Sequence, residues 1–324
     1  MDTSTAGALL ERFSSIRVVV GDIMLDAYVR GDISRLNPES NAHLLDVGRI
    51  DRMTGGAGNA AKNLASLGAK TVLVGLVGND EPGRALFAIA ESEGYTPLLY
   101  RATRATVVKT RYLTGSSHLL RVDTGDTSPI TRSVERHLIA RLRRVLSKAD
   151  GVVVSDYAKG MLTSGVLQVV MRYVRQGKRA LGDMKPGSAG YVRGITMMSP
   201  NLKEGYEYLG LPPGGSGISC AELAERLAQA MGTRVFLTAG ADGIYVCGQG
   251  GHATHVAQRH KVAVADTSGC GDTVAAVILL TTLAGGSPLE AAELANAAGA
   301  VVATKIGAVA PTPQEIVEMM GRAG

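Results

Sequence analysis

The chain has 324 residues, 45% hydrophobic and 19% charged, which excludes a disordered protein and is enough for one large α/β core or a core with an appendage. Its apolar stretches are broken by Gly, Thr or charge short of the ~18–20 residues of a membrane span, and "MDTSTAGALLERFSSI" lacks a basic stretch followed by an apolar run, so the expectation is a cytoplasmic protein with no membrane partner. The net charge of +5 is dispersed and aromatics are only 4%, which favours a phosphorylated small molecule over nucleic acid; Cys220, Cys247 and Cys270 are too scattered for a disulfide framework or a zinc site.

In chain order, strand "IRVVVGD", helix "GNAAKNLASLG", strand "AKTVLVGLVG" and helix "EPGRALFAIAESEG" set a βαβ alternation. It resumes with helix "RSVERHLIARLRRVLSKA", strand "GVVVSD", helix "TSGVLQVVMRYVRQG", strands "RALGDMKP" and "ITMMSPN", helix "AELAERLAQAMG" and strand "RVFLTAG". A mostly parallel sheet in an α/β domain spanning residues 1–324 is predicted. Two stretches, 28–53 and 104–124, alternate in polarity without helical spacing; they predict a small, half-exposed antiparallel sheet inserted as a lid. Arg141, Arg143 and Arg144 read as a solvated helix face. His252, His255 and His260, in a Gly-flanked alternating segment, read as hairpin surface rather than a metal site.

The chemistry concentrates in "DTSGCGDT", Asp266 to Thr273, ahead of the apolar run "VAAVILLTTLAGG". A Gly-x-Gly turn entering a helix points unpaired N–H groups and the positive end of the helix dipole one way, which makes an anion hole. A carboxylate there would repel the anion unless it has another task. Asp272 either accepts the proton of an attacking hydroxyl while the N–H groups of Gly269, Cys270 and Gly271 hold a phosphoryl group, or it is an N-cap; on these residues alone the two readings weigh equally. Cys270 stands where a helix start lowers a thiol pKa, yet reads as an unreactive replacement for Ala. Gly56-Ala57-Gly58-Asn59-Ala60-Ala61 fits a dinucleotide G-x-G-x-x-A, but polar "GRIDRMT" precedes it instead of a buried strand. No G-x-x-x-x-G-K-[ST] occurs, which excludes a P-loop nucleotidase.

Taken together, "GGAGNAAKN" and "DTSGCGDT" resemble the N- and C-terminal signatures of the ribokinase-like (PfkB) carbohydrate kinases, with Cys270 where Ala is usual. "GDIMLD", "NLKE", "TAGADG" and "NAAGAVVATKIGA" are similar to further segments of that family, in order and over essentially the whole chain. The resemblance implies a three-layer α/β/α sandwich with a β-sheet lid, ATP and Mg²⁺ as partners in the reaction, and Asp272 as the base. It implies sugar hydroxyls on Asp26, Gly56 and Asn59, with Asn63 one helical turn on sharing that face. It further implies nucleotide contacts from Asn201, Glu204, Asp183, Lys185, Thr238, Gly240, Gly243 and Asn296, magnesium held by Glu204 through water, K⁺ near Asp266 and Gly307, and a homodimer through the lids. As residues alone, Asp183 and Lys185 also read as a surface pair.

The short spacing between Gly56 and Asn59, with "SRLNPE", "VVKTRY", "SDYAKG" and the Asp183/Lys185 pair, resembles the branch that phosphorylates O1 of D-glycero-β-D-manno-heptose 7-phosphate in lipopolysaccharide-core synthesis. "SNAHLLDV" departs from that branch after "NPE". With no H-x-G-H, the chain resembles the stand-alone kinase. Lys109, Arg111 and Arg121 on the lid and Lys159 after a strand end are the cations expected at the 7-phosphate; Lys109 and Arg111 read equally as an exposed edge strand. Kinases of other sugars or sugar phosphates, and a non-catalytic sugar-phosphate sensor on the same fold, are the competing readings.

Overall fold

The computed structural model describes residues 1–14, 16–115, 117–212 and 217–322. In chain order its strands are β1 (Ile16–Gly21), β2 (Ile23–Leu36), β3 (His43–Gly56), β4 (Lys70–Gly78), β5 (Thr96–Ala102), β6 (Val108–Thr114) and β7 (Ser117–Thr124). They continue with β8 (Gly151–Ser155), β9 (Arg179–Asp183), β10 (Met197–Met198), β11 (Arg234–Thr238), β12 (Gly243–Cys247) and β13 (Thr254–Ala257). The α-helices are α1 (Thr3–Glu11), α2 (Ala57–Ser66), α3 (Glu81–Ser92), α4 (Arg132–Leu146), α5 (Ser164–Arg175) and α6 (Ala189–Val192). The last five are α7 (Leu202–Tyr208), α8 (Cys220–Met231), α9 (Cys270–Leu283), α10 (Pro288–Ala303) and α11 (Pro313–Gly321).

Strands such as β8, buried at every residue, must be covered on both faces, and helices do this. Nine strands pair in the order β13-β12-β11-β10-β9-β8-β1-β4-β5. All neighbours are parallel except β11 with β12 and β12 with β13. Helices α1, α2, α9, α10 and α11 share one core with one sheet face, and α4, α5 and α8 share a second core with the other. The predicted three layers are thus present. Apolar residues ring α9, which is buried from Asp272 to Thr281; such a helix belongs inside a protein.

The chain leaves β1 toward β4 and β5 on one side and returns as β8 on the other. The reversal opens a crevice at the carboxyl ends of β1 and β8, the place where open α/β sheets receive ligands. Asp22 follows β1 there, and Asp156 and Tyr157 follow β8.

The lid is a second sheet in the order β3-β2-β6-β7. Antiparallel pairing was expected throughout, but β2 and β6 run parallel, because β6 is reached through the crossover that contains β4, α3 and β5. Hence β6 is interior, and Lys109 and Arg111 do not stand on an edge. The strands are also displaced from the expected limits: β2 starts at Ile23, β3 ends at Gly56 and β6 starts at Val108. Cross-strand pairs Asp26–Lys109, Tyr28–Arg111 and Arg111–Arg121 share one lid face. The pairs Val29–Ile50, Tyr112–Leu120 and Thr110–Val122 fall on the other, as strand alternation requires. His260 departs from the surface reading: it is buried, its backbone N–H on the Gln258 side chain, whereas His252 is exposed and half-exposed His255 stacks on Tyr245.

Candidate active site

At the mouth of α9, Gly269 adopts a left-handed φ of 81°, and a Cβ on it would lie 2.4 Å from Asn59 Nδ2. Glycine is required twice over, by conformation and by space. The Cys270 N–H donates to the Thr267 carbonyl at 3.2 Å, closing the turn, so the expected three-donor anion hole loses its middle member. The Cys270 thiol is pushed up to about 11 by burial and by the Asp266 and Asp272 charges. Burial therefore outweighs the helix-start effect expected from sequence, and the inert reading of this thiol is the one the environment favours.

Asp272 lies in the first turn of α9 and is 2% exposed. It is not the N-cap, a position that Gly269 holds: Asn59 Nδ2 donates to its Oδ2 at 2.8 Å, and the Tyr157 hydroxyl lies 3.0 Å from Oδ1 and 3.1 Å from Oδ2. Burial pushes its carboxyl up to about 6, opposed by those two donors, with the Asp26 charge adding to the rise and Lys62 opposing it. That places a buried carboxyl in the range suited to proton transfer near neutrality.

Asn63 does not share an open face with Asn59. It is fully buried; its Nδ2 donates to the Asn59 carbonyl at 2.8 Å and its Oδ1 accepts from the Thr273 hydroxyl at 2.7 Å. Both ends are consumed, Nδ2 within α2 and Oδ1 in tying α2 to α9, because the two helices pack directly together. Gly56 caps α2 at φ 61°, where a Cβ would meet the Asp22 carbonyl oxygen at 2.3 Å. Asp22 is a hub missed by the sequence reading: it accepts from the backbone N–H groups of Tyr157 at 3.0 Å, Lys159 at 2.8 Å and Met161 at 3.3 Å. The loop carrying Tyr157 is fixed by this carboxylate, which burial holds above its usual range.

From the lid, Arg111 pairs with Asp26 at 2.7 Å and lies over the Tyr28 ring. Lys109 Nζ lies over the Tyr157 ring, 5.2 Å from its centroid, and burial holds its ammonium below the usual range. Lys159 lines a cavity between the ends of β1 and β4 and the lid. Arg121 does not join them; its guanidinium is 58% exposed and pairs with Asp123 at 2.9 Å.

On the other side of the crevice, "NLKE" forms a capping box: Asn201 Oδ1 accepts from the Glu204 N–H at 2.9 Å, and Glu204 Oε2 accepts from the Asn201 N–H at 3.2 Å. This motif is a helix start by its own local logic. Glu204 Oε1 meets Lys185 Nζ at 2.5 Å, and that ammonium lies 5.9 Å from the Tyr157 ring centroid. Asp183 is therefore no surface partner of Lys185. Burial, then the charges of Asp272 and Glu204, push its carboxyl well above the usual range, with Lys185 opposing. Thr238 bridges Asn201 across neighbouring strand ends. Gly240 and Gly243 build the following turn at φ 58° and 107°. Asn296 is not brought to the carboxylates; it ties α10 to β13 through the Val256 carbonyl at 2.9 Å. Asp266 accepts from the N–H groups of Ser268 at 2.8 Å and Gly307 at 2.9 Å.

Among the described residues no group of three or more His, Cys, Asp or Glu is arranged to hold a metal ion, and both Glu204 oxygens already have protein partners. This fits a magnesium ion that arrives on nucleotide phosphates and meets Glu204 through water. Sequence reasoning assigned no role to Asp22, Tyr157 or Lys62. Asp22 and Tyr157 stand inside "GDIMLD" and "SDYAKG", but the partners that define them are over a hundred residues away. Lys62, beside Asn63, bonds the Ala308 carbonyl and pairs with Glu93 at 3.5 Å.

The chain is 38% identical over 303 residues to Bifunctional protein HldE of Caulobacter vibrioides, covering 92% of this chain and 62% of that protein. It is 37% identical over 319 residues to Bifunctional protein HldE of Caulobacter sp. strain K31, covering 97% and 64%. The chain thus spans less than two thirds of the curated relatives it matches. Phosphofructokinase-2 from Escherichia coli in complex with potassium superposes with a TM-score of 0.79 at 17% identity, covering 96% of this chain and 99% of that one. Arabidopsis thaliana ribokinase complexed with ribose and ATP gives 0.72 at 19%, covering 95% and 99%. These structures support the fold. No helix among the described residues is long and apolar enough to cross a membrane. With the family profile for pfkB family carbohydrate kinases matching residues 17–315, the chain belongs to the PfkB family of carbohydrate kinases.

Proposed function

We propose that the chain transfers the γ-phosphoryl group of ATP to O1 of D-glycero-β-D-manno-heptose 7-phosphate. The observation that carries the reading is Asp272, a buried carboxyl held by Asn59 and Tyr157 at the Gly-rich mouth of α9, facing a lid whose inner face presents Lys109 and Arg111 beside Asp26. Asp272 accepts the O1 proton and O1 attacks the phosphorus in line. The N–H groups of Gly269 and Gly271, rather than of Cys270, face the charge on the transferring group. Asp26, Gly56 and Asn59 receive sugar hydroxyls, and Lys109, with Lys159 behind it, receives the 7-phosphate. Lys185, Asn201, Glu204 and Thr238 lie on the nucleotide side, where Mg²⁺ enters with ATP as co-substrate; Gly240 and Gly243 shape the neighbouring turn. Support for the sugar comes from the branch motifs; the turn joining Asp266 to Gly307 is the place proposed for K⁺.

The outer lid face carries Ile50, Leu120 and Val122, exposed by 54%, 59% and 37%, and supports pairing of two copies through the lids. The deciding experiment is ADP release from Mg-ATP with a panel of the heptose 7-phosphate, sedoheptulose 7-phosphate, fructose 6-phosphate, ribose and adenosine, on wild type and Asp272→Asn. Turnover confined to the heptose phosphate and lost in the variant is expected. Turnover with another sugar discards the substrate and keeps the mechanism. Tight sugar-phosphate binding with no turnover at all means a sensor.

A further inference from the structure

A base buried as deeply as Asp272 tends to keep its proton, and donors aimed at the carboxylate are what hold it ionised. Asn59 supplies one to Oδ2. The Tyr157 hydroxyl, at 3.0 and 3.1 Å, is shared between both oxygens. Among the described residues Oδ1 has no other hydrogen-bond partner, so it keeps lone-pair capacity that Oδ2, with two donors, has largely used.

The Tyr157 phenol is itself locked. Its backbone N–H is on Asp22, its ring lies beneath Lys109 from the lid and Lys185 from the nucleotide side, and burial holds its hydroxyl well above the usual range, so it remains a donor. The charged and titratable groups that face Asp272 are Asp26 from β2, Lys62 from α2, Asp183 at the end of β9 and Cys270 on its own turn.

We infer that Tyr157 is a positioning residue for the base, holding the Asp272 carboxylate so that Oδ1 is the oxygen that accepts the proton of the attacking hydroxyl. This rests on the kinase reading only for the origin of that proton. In the step, the sugar O–H proton passes to Oδ1, the new O–P bond forms, and the bond from the γ-phosphorus to the bridging oxygen breaks to release ADP.

Tyr157→Phe removes the hydroxyl and keeps the ring with both lysines over it. Its effect is read without turnover by titrating ¹³C-labelled aspartate carboxyls by NMR, with Asp272 assigned by its loss in Asp272→Asn. The expected result is an upward shift of the Asp272 midpoint by about one pH unit. In turnover, kcat/KM falls roughly tenfold below neutrality and recovers as pH rises. A 3,5-difluorotyrosine at position 157, a stronger donor, moves the midpoint the other way. An unmoved midpoint in both proteins, or a loss of activity equal at every pH, overturns the inference. A wild type inactive on every sugar would sink the kinase reading alone, because the NMR titration still decides whether Tyr157 sets the state of Asp272.

Discussion

The two walls of the crevice are built on different physics. On the core side Asn59, Asn63, Asp272 and Thr273 are each at most 2% exposed and bonded to one another. On the lid side the groups are cations in ion pairs that run from the largely buried Arg111–Asp26 to the exposed Arg121–Asp123. Buried polar networks are costly to disturb and hold one geometry; exposed ion pairs are worth little and rearrange easily. Under the proposed reaction, bond-making falls to the rigid wall and recognition of the acceptor sugar to the lid.

Substitutions on the rigid wall should therefore act on kcat and those on the lid on KM. The largest effect is expected for Asp272→Asn, a loss of about 10²–10⁴ in kcat. For the wild type, whose active form is the carboxylate, kcat/KM should fall as pH drops through about 6. Steady-state kinetics across pH checks both, and an acid limb absent in wild type would break the assignment of the base. Gly269→Ala comes next: the new methyl meets Asn59 and the left-handed φ costs ~1–2 kcal/mol, so a roughly hundredfold drop in kcat is expected from the displaced base, read against circular dichroism as a folding control. Arg111→Met should raise KM for the sugar phosphate about tenfold with kcat nearly kept, since it frees Asp26 and removes a lid cation; a kcat effect of the same size would dissolve the division between the walls. Arg121→Ala should change either parameter less than about threefold, as expected for an exposed pair. A larger effect would mean that the lid closes far enough to bring Arg121 to the ligand.

Of the two equal readings of Lys109 and Arg111, the exposed edge strand is the one excluded, because β6 lies between β2 and β7. Alternation in "VVKTRY" marks a strand, but not its neighbours, and β2 pairs with it only because the crossover through β4 and β5 returns the chain in the same direction. His260 shows the same limit: its polar, Gly-rich surroundings predict surface, and packing around it makes it buried. Asn63 looked like a second hydroxyl ligand by its spacing from Asn59, yet that spacing faces α9 instead of the crevice.

Local features were legible from the chain alone, because their partners are within a few residues. The α/β alternation and the Gly269 turn with a carboxylate behind it belong to this class; the capping box that starts α7 is just as local, although in the sequence "NLKE" is read only by its resemblance to a nucleotide-side motif. The network around Asp272 is of another kind: Asn59 lies 213 residues away and Tyr157 lies 115 away. Whether Asp272 caps the helix or acts as a base is open in the sequence, since Asp suits either task at a helix start; in the structure Gly269 is the N-cap and Asp272 the third helical residue. Tertiary packing decided the character of its carboxyl by burying it and then supplying two donors from separate elements, because desolvation and long-range hydrogen bonds exist only once the core has closed.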